Sequence, residues 1–179
     1  TFFMGEAEMN QRVAILGAGI AGKMMARLLA GRFEKVYLID PKPEDVFQSN
    51  QLHVLLAGGM KILEEYFPQV CETLQESCMR VDWGGDNYWK SPVGEMPRKA
   101  AGVVTRTCSR SYLEQLMLKE LENYPIELVR SKAVGYLYSE DKKSLVGVKT
   151  QDGEVLADVV IDATGRSSQA TQWLEQEFG

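Results

Sequence analysis

The stretch VAILGAGIAGKMMARLL, residues 13–29, constrains this chain more than any other. Residues 13–16 are a compact apolar run stopped by a glycine, the pattern of a short strand covered on both faces. Residues 20–33 then carry apolar side chains at helical spacing, with Ile20, Met24, Leu28 and Leu29 forming one broad stripe. KVYLID, residues 35–40, reads as a second strand ended by Asp40 and Pro41. Strand, helix and strand within about thirty residues have the size of a βαβ unit, so the expected fold class is α/β around a parallel sheet.

The turn between the first strand and the helix is Gly17-Ala18-Gly19-Ile20-Ala21-Gly22, which satisfies GxGxxG. Its placement after a strand and at the start of a helix is the context that makes the pattern a dinucleotide-binding candidate. Gly17 allows the tight turn, Gly19 lets backbone approach a pyrophosphate, and Gly22 permits close packing of helix on strand. The first turn of the helix, at Ile20 and Ala21, offers unpaired N–H groups to an anion. Asp40 stands where an acidic side chain accepts hydrogen bonds from a ribose, with Pro41 beside it, and an acid there disfavours a 2′-phosphate and hence NADP. The glycines alone leave NAD and FAD open.

Composition narrows the partners. The chain has 179 residues and a formal net charge of −5, with no block of Lys or Arg, which argues against nucleic acid. No apolar run reaches the ~18 to 20 residues of a membrane span. Cys71, Cys78 and Cys108 contain no CxxC pair, and His53 is the single histidine, so structural thiols, a cytoplasmic setting and no metal site are expected.

Further along, residues 51–67 look helical on both sides of Gly58-Gly59, residues 68–77 read as a short helix, and residues 81–102 are irregular and aromatic-rich with hints of short strands. SRSYLEQLMLKELENY, residues 109–124, is the clearest amphipathic helix, with Ser109 or Ser111 as its N-cap. After Pro125 the period becomes strand-like: IELVR, AVGYLYSE, SLVGVKTQ and EVLADVVIDATG are four strand candidates. Their middle segments make a β-meander, and residues 158–163 return to the parallel sheet as a buried strand. The inserted helices and the meander set this chain apart from a simple NAD domain, which continues in strand–helix alternation.

Together GAGIAG with Asp40, HVLLAGGMKILEEYFP, VDWGGDNYW, CSRSYLEQLMLKEL and ADVVIDATGRSSQATQWLE resemble the FAD-dependent oxidoreductases related to flavin monooxygenases of the aromatic-hydroxylase type, with flavin halogenases and geranylgeranyl reductases as cousins. The resemblance runs from Arg12 onward. It implies a Rossmann-like FAD-binding domain over residues 12–179; residues 1–11 ahead of it are polar and read as a flexible tail. It also implies FAD as cofactor, an organic small-molecule substrate and NAD(P)H as a possible external reductant. Arg110 corresponds to a helix-start arginine that contacts the flavin cofactor in the family; the competing reading pairs it with Glu114 at i+4. Ala163, Thr164 and Gly165 correspond to the later cofactor motif, and the backbone around Ala133 to the place where the adenine edge is read. SNQLHVLLAGG resembles a segment near the flavin ring, but a lone histidine ahead of an apolar helix reads as packed, so His53 is not assigned to catalysis. Trp83, Tyr88 and Trp89 read as core or loop anchors.

Full-length members of that family continue into a second Gly-Asp motif and a substrate-covering sheet that this sequence does not display. The expected chain is thus an FAD-binding part whose active site is completed by a C-terminal portion or a second polypeptide. The rival readings are an NAD-binding dehydrogenase domain and a non-catalytic flavoprotein or assembly partner.

Overall fold

A computed structural model describes residues 11–44 and 51–179. The tail expected at residues 1–11 lies, except for Gln11, outside the described residues. The described residues group into two compact units, one formed by residues 11–44 and 121–179 and the other by residues 51–120.

The first unit is built on a four-stranded parallel sheet. Its strands are β1 (Arg12–Leu16), β2 (Lys35–Ile39), β8 (Ile126–Val129) and β12 (Val159–Asp162), in the order β12-β1-β2-β8. Val13 pairs with Val159 on one side and Val36 on the other, and Val36 with Ile126. Residues 13–16 are almost wholly buried because both faces of β1 are covered. Ala14 and Leu16 join Ile39, Tyr136, Val148 and Ala157 in one core cluster, and by strand alternation Val13 and Ile15 point the other way. Between β8 and β12 runs the antiparallel meander β9 (Ala133–Tyr138), β10 (Leu145–Thr150) and β11 (Gly153–Leu156). The fourth strand candidate thus divides into β11 and β12. The latter is an edge strand and mostly half-buried rather than buried through, with Val159 36% exposed.

Helix α1 (Ile20–Leu29) packs on β1 and β2. It stops at Leu29, just before Gly31, and not at residue 33. Its buried face is Gly22, Lys23 and Ala26, whereas the expected stripe of Ile20, Met24, Leu28 and Leu29 is half-buried. Position 22 takes glycine because helix and turn approach so closely that a Cβ there would fall 1.8 Å from the Gly17 carbonyl oxygen. Helix α5 (Ala170–Phe178) closes the unit against β9 through edge-to-face aromatic pairs, Tyr136–Trp173 at 5.1 Å and Tyr138–Phe178 at 5.2 Å, and a Lys142–Glu177 ion pair at 2.6 Å.

The second unit holds an antiparallel sheet of β3 (Leu52–Leu55), β7 (Val104–Ser109) and β4 (Met79–Asp82) in the order β3-β7-β4, with the two-residue strands β5 (Lys90–Ser91) and β6 (Gly94–Glu95) paired separately. Helices α2 (Ala57–Tyr66) and α3 (Pro68–Ser77) pack on each other and on β7. The helix expected across residues 51–67 is corrected: residues 52–55 pair with β7, and α2 begins only at Ala57, with Gly58 and Gly59 in its first turn. Cross-strand pairing overrides the apolar run's local preference. Helix α4 (Arg110–Leu121) starts as expected, and Ser109 is its cap, its Oγ accepting from the Tyr112 N–H at 3.2 Å.

Asp82 organises the aromatic loop. One carboxylate oxygen accepts from the N–H groups of Gly84, Gly85 and Ala101 at 2.9 to 3.0 Å, and the other from Gly102 at 3.1 Å. These backbone donors, Ala101 and Gly85 foremost, hold the Asp82 carboxyl at about 2. A group whose folded value is depressed stabilises the fold above its ordinary value and loses that contribution as pH falls through the folded one. Thermal melts should therefore show Asp82→Asn less stable than the parent at pH 6, with the gap closing as pH falls from 3.8 to about 2. A pH-independent gap would remove the carboxylate charge from the account.

Candidate functional site

A cavity of about 340 Å³ opens in the first unit at the carboxyl ends of β1, β2 and β12, where open parallel sheets bind their ligands. Leu16, Gly17 and Gly19 line it from the first strand and turn, Ile39, Asp40 and Pro41 from the second strand, Lys132 and Ala133 from the start of the meander, and Ala163, Thr164, Ser167, Gln169 and Trp173 from the segment after β12.

The glycine turn is held from below. The Gly17 N–H donates to the Ile39 carbonyl at 2.8 Å, and Ala163 N–H to Leu16 at 2.8 Å, so the three strand ends are pinned together. Gly17 has φ +91°, a backbone that side chains rarely adopt. Helix α1 begins without a side-chain cap and without an acidic residue in its first turn, and Gly19, its N-cap residue, has nothing within 4 Å of where a Cβ would stand. The positive end of the helix dipole therefore meets open space, which suits an anion. That open space at Gly19 is the observation by which the residues fit a dinucleotide.

Asp40 has work of its own. One carboxylate oxygen accepts from the Ala18 N–H and the other from the Lys42 N–H, both at 2.8 Å. Each oxygen has two lone pairs, so the carboxylate retains acceptor capacity for a hydroxyl. Lys23, wholly buried in α1, donates its ammonium to the Ala18 carbonyl and, at 3.3 Å, to the Pro43 carbonyl. A buried charge needs such partners; here they tie the glycine turn to the segment after β2. Asp162 does the same for the second turn. It accepts from the Thr164 N–H at 2.8 Å, the Thr164 hydroxyl at 2.5 Å and the Ser168 hydroxyl at 2.6 Å. Burial pushes its carboxyl up, but the bonds from Ser168 and Thr164 outweigh it and leave the group below its ordinary value.

Of the residues singled out from the sequence, Gly17, Gly19, Asp40, Pro41, Ala133, Ala163 and Thr164 line this cavity. Ile20, Ala21 and Gly22 belong to the first turn of α1 behind it, and Gly165 starts the short 3-10 turn Gly165–Ser167. Arg110 is in the second unit, where its Nε pairs with the Glu114 carboxylate at i+4, as the competing reading has it, and its Nη1 lies 3.4 Å from His53 Nε2. A guanidinium only donates, so Nε2 accepts and the other ring nitrogen carries the proton toward the Gln51 carbonyl at 3.2 Å. Trp83 and Trp89 stack at 5.9 Å, and their Nε1 groups donate to Thr105 and to the Trp83 carbonyl, so both anchor the loop. Burial pushes the Cys71 and Cys108 thiols up to about 11, which leaves neither as a nucleophile at neutral pH.

Sequence reasoning missed Lys23, Lys132, Ser167, Gln169 and Trp173. The last three follow the Asp-Ala-Thr-Gly motif directly, and their nearness to it was the available signal.

A parallel sheet whose first strand enters an uncapped helix through a glycine turn, with an antiparallel meander before the last strand, defines a Rossmann-like α/β protein. The family model described as "Lycopene cyclase protein" matches residues 12–179, and the chain belongs to that family. Protein Rv3254 of Mycobacterium tuberculosis (strain ATCC 25618 / H37Rv) is 27% identical over 196 residues, a match that takes in 93% of this chain and 40% of that protein. Among solved structures, a variant of 2-methyl-3-hydroxypyridine-5-carboxylic acid oxygenase superposes with TM-score 0.69 at 19% identity, covering 92% of this chain and 42% of that one. PqsL from Pseudomonas aeruginosa, named a probable FAD-dependent monooxygenase, gives TM-score 0.68 at 17% identity, covering 93% of this chain and 46% of that one. The resemblance read from the sequence is borne out, at identities that establish the fold. The chain spans about two fifths of the length of these relatives. Among the described residues no helix is long and apolar enough to cross a membrane.

Proposed function

We propose that the first unit holds the ADP half of FAD, and that the chain is the FAD-binding part of a flavin-dependent oxidoreductase of the monooxygenase type. The observation that carries this reading is the open, uncapped helix N-terminus at Gly19, set beside Asp40 in one cavity. The backbone at Gly17, Gly19, Ile20 and Ala21 receives the pyrophosphate, with Gly22 keeping α1 close beneath it. Asp40 accepts from a ribose, with Pro41 shaping that edge. The backbone at Ala133 meets adenine, and Ala163, Thr164 and Gly165 flank the dinucleotide. Arg110 keeps N–H donors beyond those it gives to Glu114 and His53, and stands as a flavin contact on sequence grounds.

Bound FAD supplies a hydride acceptor and, once reduced, a partner for oxygen. The chain's own residues bind and orient: the helix dipole faces the anion, Asp40 fixes the sugar, and Asp162 and Lys23 keep the two turns from moving. An organic small molecule is the substrate and NAD(P)H the external reductant in this reading. Chemistry at a flavin ring requires a shielded pocket, which a further part of the protein or a second polypeptide supplies. Three free thiols support a reducing, cytoplasmic setting.

The absorbance of the purified chain at about 350 to 500 nm, followed by chromatography of any released cofactor, tests the reading. Bound or reconstituted FAD is the expected result. A chain that takes up NAD and refuses FAD would replace this function with that of a dehydrogenase domain.

A further inference from the structure

One wall of the cavity comes from the segment that follows β12. Gln169 is the N-cap residue of α5, and the Trp173 N–H donates to its carbonyl at 2.9 Å, so the two side chains lie one turn apart on the same side of the helix. The Trp173 indole meets the Tyr136 ring edge to face, 5.1 Å between centroids and 88° between planes. Tyr136 is itself locked in the core with Ala14, Leu16 and Val148. The indole is therefore held by the core on one flank while it lines the cavity on another.

The lining falls into three chemical kinds. Gly17 and Gly19 present backbone at a helix N-terminus, which suits an anion; Asp40 presents a carboxylate, which suits a hydroxyl-bearing sugar; Trp173 is the one aromatic side chain among the described lining residues. Phosphate, sugar and heteroaromatic base are the three parts of an adenine nucleotide, and a rigid indole offers the base a π-face that needs no ordering when the ligand arrives.

We propose that Trp173 is the adenine-stacking residue of this cavity. The inference rests on the reading that the cavity takes the ADP half of FAD, and it adds the residue that distinguishes an adenine nucleotide from a bare phosphate or from FMN.

The test combines calorimetric titration of the full chain with ADP, FAD and FMN and the intrinsic tryptophan emission during the ADP titration. ADP, which does not absorb where tryptophan emits, should quench part of the emission with the midpoint found by calorimetry, while FMN, which lacks adenine, should bind at least about tenfold more weakly than FAD by calorimetry. Trp173→Ala should bind ADP at least about tenfold more weakly, the scale of one lost base–aromatic stack. That variant also loses its contact with Tyr136, so Trp173→Phe is made beside it. Phenylalanine keeps a π-face, should hold ADP affinity to within about threefold, and should abolish the quench because the reporting indole is gone. If ADP binds without a change in emission, if the quench survives in Trp173→Phe, or if Trp173→Ala binds ADP as the parent does, the inference falls and the FAD reading stands. If the parent chain binds neither ADP nor FAD, the reading falls and takes the inference with it.

Discussion

Gly19→Val is expected to give a chain that folds as the parent does and binds neither FAD nor ADP. Position 19 has φ −70° and ψ −176°, extended backbone that a β-branched residue adopts readily, and a Cβ there meets no protein atom within 4 Å. The new side chain projects into open space in the cavity, where the pyrophosphate must approach the backbone. Stability should fall by no more than about 1 kcal/mol, the scale of replacing a glycine N-cap by a poorer one. Nucleotide affinity should fall at least ~100-fold, or ~2.7 kcal/mol. Calorimetry with ADP, paired with a thermal melt, reads both. A stable variant that still loads FAD would mean that the anion lies elsewhere.

The same substitution three positions on should do the opposite. Gly22→Val places a Cβ 1.8 Å from the Gly17 carbonyl oxygen and 3.0 Å from its carbon, both backbone atoms that cannot swing aside. Relief requires α1 to lift from the sheet, and overpacking on this scale costs about 3 kcal/mol or more. The melting temperature should drop by roughly 6 to 12 °C in a chain of this size. Binding would be lost only as a consequence of the displaced turn. A Gly22→Val chain with the parent's melting temperature would show that α1 packs less closely on the turn than the structure has it. Two valines in one motif thus separate a glycine kept free for a ligand from a glycine kept small for the fold.

Much of this was legible in the sequence where local pattern and tertiary demand agree. The run at residues 13–16 is apolar at every position because β1 is covered on both faces, and the meander alternates because its strands are each covered mainly on one. Residues 52–55 misled because an apolar run of that length suits a strand or a helix, and only its partner β7 decides. β7 itself was hidden because its Thr, Arg and Cys side chains carry no strong hydrophobic signal, although β-branched Val104, Thr105 and Thr107 suit a pleat. In the candidate site, backbone-defined positions such as Gly17 and Gly19 were readable, since the motif specifies backbone geometry. Lys23 was not, because a lysine on a helix reads as solvated until its carbonyl partners are known. Trp173 escaped for a related reason: its position depends on the meander's Tyr136, which lies far from it in sequence.

The return of β12 to the side of β1 fixes the order in which the cavity can come into being. The Arg12 N–H finds its acceptor, Asp158, 146 positions later. A chain made from its N-terminus exposes the glycine turn first, and Ala163, Thr164 and Trp173 follow only after residues 46–120 and the whole meander have been made. Closure over so long a separation is a late and slow event. A nucleotide in the cell therefore meets a half-built groove until β12 has paired with β1, so capture of the ligand reports that the strands before it have found their place.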